Sequence, residues 1–156
     1  MKGKSEIALE MVKRAVSSGI QADYLLVDSW YSKPAFIKEM NDLGLQVISR
    51  IANNNKIWNF SGKEKSLNAI YEKQKNLKSA KEGKYGKKIY FTYFSIMVEH
   101  KNAGNLKIVL LKTTDNLIPI ASTNLEISDE EIIEIYKRRW DIEQGYKELR
   151  EHFGFG

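Results

Sequence analysis

Two short apolar runs near the start of the chain, Asp23-Tyr24-Leu25-Leu26-Val27-Asp28 and Leu45-Gln46-Val47-Ile48-Ser49-Arg50-Ile51, are joined by one amphipathic stretch. That stretch opens with Ser32-Lys33-Pro34, proline being favoured in the first turn of a helix, and continues through Ala35, Phe36, Ile37 and Met40 to Gly44. Ahead of it, residues 6 to 18 place Ile7, Leu9, Met11, Val12, Ala15 and Val16 at helical spacing, closed by Gly19. The order helix, strand, helix, strand, with so little chain between elements, predicts parallel strands joined by a crossover helix, hence an α/β layer.

The middle of the chain is different in texture. After the turn-forming cluster Asn53-Asn54-Asn55, residues 56 to 60 and 66 to 71 read as the arms of a hairpin around Ser61-Gly62-Lys63. Residues 72 to 88 are polar and Lys-rich, with Gly83 and Gly86, and read as a mobile loop. Residues 89 to 98 and 106 to 111 are β-branched and aromatic, so they form an antiparallel hairpin across Asn102-Ala103-Gly104-Asn105. Residues 118 to 122 give a further strand, which Pro119 assigns to an edge or a strand start. Ser128-Asp129-Glu130-Glu131 then matches a capping box, with Ser128 as N-cap, and opens a helix running to about Phe153.

Charge follows the same partition. Residues 50 to 112 hold fourteen Lys and Arg against four Asp and Glu, although the whole chain of 156 residues carries only +5. A basic middle between a neutral start and an acidic end is the footprint of a polyanion such as nucleic acid, or equally of a solvated Lys-rich loop. The absence of cysteine excludes a disulfide scaffold and thiolate zinc sites, and two histidines leave little for a His-rich metal centre. No stretch reaches the ~18 consecutive apolar residues of a membrane span, so the expectation is a cytoplasmic protein without a membrane partner.

Two sets of residues are candidates for chemistry. On the last helix, Tyr136, Arg139, Glu143 and Arg150 are three, four and seven residues apart and share one face, beside an apolar stripe of Ile135, Ile142 and Leu149 with Trp140 outside it. A carboxylate between two guanidiniums suits phosphate oxygens, and it also describes an exposed salt-bridge face. Asp28 ends a strand just before a helix, where ligands gather in open α/β sheets, and its oxygens suit a hard divalent cation; Asp is also an ordinary helix-entry residue.

Val27-Asp28-Ser29-Trp30-Tyr31-Ser32, with Ile135-Tyr136-Lys137-Arg138-Arg139-Trp140-Asp141-Ile142-Glu143 far downstream, resembles the DDE transposases of bacterial insertion sequences. Their signature, Tyr, two residues, Arg, three residues, Glu, six residues, Lys, falls on Tyr136, Arg139, Glu143 and position 150, where Arg150 stands in place of Lys. The resemblance implies a partial RNase H-like core over 1–52, a β-rich basic insertion over 53–126 and the closing helix of the core over 127–156. It also implies a two-metal Mg2+ site held by acids, with Asp28 as the second and Glu143 as the third, cutting and joining phosphodiesters in DNA transposition. Tyr136, Arg139 and Arg150 would hold duplex DNA, at transposon ends and target. The first Asp of such a triad lies on an earlier strand, and Asp23 cannot replace it, because it stands five steps of extended strand before Asp28, roughly 16 Å. The expectation is therefore a C-terminal transposase fragment with an incomplete metal site, inactive alone and completed by an N-terminal part or another transposase subunit. The competing expectation is a non-catalytic nucleic-acid-binding remnant that uses the basic insertion.

Overall fold

The computed structural model describes residues 4–27, 34–87 and 89–153, with side chains described over 6–141 within these. The elements are α1 (Lys4–Ser17), β1 (Tyr24–Val27), α2 (Pro34–Asp42), β2 (Gln46–Arg50), β3 (Trp58–Phe60), β4 (Lys63–Lys65), α3 (Leu67–Gln74), β5 (Lys81–Tyr85), β6 (Ile89–His100), β7 (Gly104–Lys112), β8 (Leu117–Ser122) and α4 (Asp129–Phe153). All eight strands belong to one mixed sheet ordered β1-β2-β8-β7-β6-β3-β4, with β5 paired to β6 beside that path.

The expected parallel unit is present. β1 and β2 pair in parallel from Tyr24↔Gln46 to Val27↔Ser49, with α2 between them in the chain. Every other pairing is antiparallel. The long strand β6 takes β7 along one edge, from Thr92↔Lys112 to His100↔Gly104. Its opposite edge is shared by β5, from Lys81↔Tyr93 to Tyr85↔Ile89, and by β3 at Asn59↔Glu99.

Alternation along these strands divides the core into two layers, as a pleated sheet with both faces covered must. One face gathers Val27, Val47, Phe94, Ile96, Ile108, Leu110 and Ala121 under Phe36, Ile37 and Met40 of α2, with Leu9 and Val12 of α1 alongside. The other gathers Ile48, Phe91, Tyr93, Val109, Leu111, Ile118 and Ile120 under Ile132, Ile133 and Tyr136 of α4.

Three sequence expectations are corrected. Residues 66 to 71 are not a hairpin arm: β3 pairs with β4 from Trp58↔Lys65 to Phe60↔Lys63, and Ser66 then caps α3 by accepting a hydrogen bond from the Ala69 N–H at 3.2 Å. The Lys-rich loop contains β5. Gly83 there faces Phe91 across the ladder, and a Cβ on it would collide with the Phe91 ring, so this glycine makes room for an aromatic neighbour rather than breaking a strand. Finally, of the two places open to Pro119 the edge is excluded: it is the third residue of β8, near the start of a strand that lies between β2 and β7. Its carbonyl accepts from Ile51 N–H at 3.1 Å, on the β2 side. In an antiparallel strand a residue's nitrogen faces the same way as its own carbonyl, so the missing N–H falls where the β2 ladder has already ended at Arg50↔Ile120, and the β7 ladder loses nothing.

Candidate functional site

α4 begins where the sequence placed it. The Glu131 N–H donates to Ser128 Oγ at 3.1 Å, while Asp129, Glu130 and Glu131 lie in the positive first turn. Lys107 of β7 fixes this end: its ammonium donates to the Ile127 carbonyl at 2.6 Å and pairs with Asp129 at 3.0 Å. Both side chains of that pair are only 15% exposed, which makes it less screened than the exposed Lys137–Glu134 pair further along.

The apolar stripe of α4 is rotated from the one read in the sequence. Ile132, Ile133 and Tyr136 are buried, and Ile135 and Trp140 pack against them from the side. Tyr136, 2% exposed, therefore sits in the core, its ring meeting Trp140 edge-on at 5.5 Å. Arg139 is partly buried one turn on and Arg138 is exposed. Glu143 and Arg150 lie on α4, but their side chains are outside those described. Asp28 directly follows the last residue of β1 and lies outside the described residues.

Sequence reasoning missed how the basic hairpin grips this helix. Tyr85, the last residue of β5, donates its hydroxyl to Asp141 Oδ1 at 2.6 Å and sets its ring edge-on to Trp140 at 5.1 Å. At the other end of β5, Lys81 reaches Glu130 at 3.4 Å. β5 and α4 thus run side by side in the same sense, and through the strand pairings that sense is also the one of β2 and β1. The only signal for this in the sequence is a lone aromatic in a Lys-rich run.

The hydrogen bond to Asp141, with lesser contributions from burial and from the Asp141 charge, pushes the Tyr85 phenol up to about 12 from an ordinary 10.0. The raised value means that the contact stabilises the fold fully below pH 10.0 and that this contribution disappears as pH climbs through about 12. Thermal melts should therefore show a loss of stability over that interval that is smaller in Tyr85→Phe, and identical alkaline profiles would remove the hydrogen bond from this account.

The basic segment presents its charge outward. Lys56, Lys63, Lys73, Lys78, Lys84, Lys87 and Lys101 are exposed. The Lys65 amine is held below the usual lysine value, first by a hydrogen bond with the Lys73 amine, which one of the two makes as the neutral acceptor, then by burial and by the charges of Lys73 and Lys63. β4 and α3 therefore crowd like charges together, an arrangement that favours a bound anion. Lys84 also lies over the exposed Tyr90 ring, 5.1 Å from its centroid.

Among the described residues no group of three or more His, Asp or Glu side chains could hold a metal ion, and no described helix is long and apolar enough to cross a membrane. A mixed α/β sheet closed by a long C-terminal helix is consistent with the catalytic domain of a DDE transposase. The chain matches the family model described as transposase DDE domain over residues 3–156, and it belongs to that family. No curated protein matches it. Membership places the protein in DNA transposition, a process with DNA substrates and, in this family, divalent metal use.

Proposed function

We propose that this chain supplies two of the three acids of a transposase active site, Asp28 and Glu143, and the surface that holds DNA beside them. The observation that carries the reading is the spacing of Tyr136, Arg139, Glu143 and Arg150 on one continuous helix, packed on the sheet to which β1 leads Asp28. The common sense of β1 and α4 supports placing both acids toward one end of that sheet. Carboxylate oxygens fit a hard cation, and Asp28 and Glu143 would hold Mg2+, which when bound activates a hydroxyl for in-line attack on a phosphodiester. Arg139 and Arg150 would hold phosphates on either side of the scissile bond, Arg150 offering a planar fork where a lysine offers a point charge. Tyr136, with its ring in the core, would act on DNA by setting the pose of that helix face.

Among the described residues β1 pairs only with β2, so its other edge is open to a strand bearing the remaining acid. An N-terminal part or another transposase subunit would provide it. On this reading the lysine-bearing parts of 53–126, namely β4, α3 and the β5–β6 hairpin, would track the DNA backbone, while β7 and β8 complete the sheet that 1–52 and 127–156 share.

The DNA-binding half is tested by salt. If the lysines of β4, α3 and the β5–β6 hairpin contact about five phosphates, log affinity for duplex DNA should fall linearly with log salt, with a slope of roughly −4.5. Replacing Lys63, Lys65 and Lys73 by glutamine should flatten the slope. Undetectable binding at low salt would remove both this reading and the alternative of a non-catalytic DNA-binding remnant, which the crowded lysines support but the acid-bearing helix does not need.

A further inference from the structure

Among the described residues the buried anchors of α4 are Ile132, Ile133 and Tyr136, which hold one stripe on the sheet, while Lys107 holds the N-terminus. Further along, Trp140 leans on the same core layer and on Tyr136, and the basic hairpin adds a hold of its own. Tyr85 bonds Asp141 and packs on Trp140, two neighbouring residues whose side chains leave a helix about 100° apart. Contacts in two directions fix rotation as well as height. The lengths also agree, because Glu130 to Asp141 is about 16 Å of helix and Lys81 to Tyr85 is about 13 Å of strand, with the lysine side chain covering the remainder.

We propose that Tyr85 is a positioning residue for the reaction: it locks the rotation of α4 at Trp140 and Asp141, two residues before position 143 in the chain. The inference rests on the assignment of Glu143 as a metal-holding acid. It gives the hairpin a second task besides holding DNA, since the strand carrying Lys81 and Lys84 also aligns the acid-bearing helix. A helix turn displaced by about 1 Å is enough to cost up to a hundredfold in rate.

The test is single-turnover cleavage of a labelled duplex by the catalytically complete protein in Mg2+, alongside DNA affinity and melting temperature. Tyr85→Phe keeps the ring and loses the hydroxyl, and Asp141→Ala removes an exposed acceptor without disturbing the core. Each is expected to slow cleavage about tenfold or more at unchanged DNA Kd, at temperatures well below melting, and the double variant should be no slower than the slower single. Wild-type cleavage by both singles, losses that multiply in the double, or losses that follow melting temperature would overturn the positioning role. Glu143→Gln run in parallel separates the two claims: its inactivity together with a fully active Tyr85→Phe removes only the positioning role, whereas its retained cleavage removes the site assignment beneath it.

Discussion

Glu143→Gln should abolish Mg2+-dependent cleavage by the completed transposase while leaving DNA affinity within about twofold of wild type. The amide keeps the shape of the side chain and one carbonyl oxygen but removes the negative charge that holds a divalent cation, so what is lost is the metal rather than the fold. A drop of at least a thousandfold in single-turnover rate is the expected scale, corresponding to about 4 kcal/mol of transition-state stabilisation. Asp28→Asn should behave alike. The comparison with Arg139→Ala is informative, because that variant should weaken DNA binding and flatten the salt dependence instead. Retained cleavage by Glu143→Gln would contradict the role given to this residue, and lost binding would show that it serves DNA contact rather than metal.

The second large effect is on stability. Leu110 lies in β7, a strand paired on both sides, is 0% exposed, and stands opposite Phe94 on one side and Pro119 on the other. Leu110→Ala removes three carbons from a layer also built by Ile108, Ala121 and the α2 side chains, and the sheet cannot close around the void because both neighbouring strands are locked in register. A loss of about 2–5 kcal/mol is expected, a large share of the stability of an ordinary domain, measured as a shift in denaturant midpoint. Leu77→Ala is the matched control: that side chain is 76% exposed, so its midpoint should barely move. Equal shifts would mean that the two-layer core is wrongly placed.

How much of this was readable beforehand depended on whether the signal was local. The α1, β1, α2, β2 series and the whole of α4 follow from periodicity, caps and breakers carried by adjacent residues, and they were legible to within two or three residues at each end. The family was legible for the same reason, its resemblance being carried by short runs of neighbouring residues. What escaped depends on partners distant in the chain. Gly83 looks like a breaker until Phe91 is seen opposite it, and Pro119 looks like an edge marker until the end of β2 is seen to absorb its missing donor. Of the two rings that meet Trp140, Tyr136 lies one turn back on the same helix and was readable from its spacing, whereas Tyr85 sits on a strand disguised by lysines. Ser66 was a different failure, since its cap is local and could have been read from Ser-Leu-Asn-Ala alone.

The placement of β8 has a practical consequence. This strand is coded by the middle of the chain, yet it is the antiparallel neighbour of β2, and with β7 it forms the floor on which α4 rests. Cutting out residues 53–126 to obtain a minimal catalytic unit would strip β2 of one flank and leave the terminal helix without a bed. The polypeptide resists shortening from within: what reads along the chain as an accessory segment is, in three dimensions, the keel of the molecule.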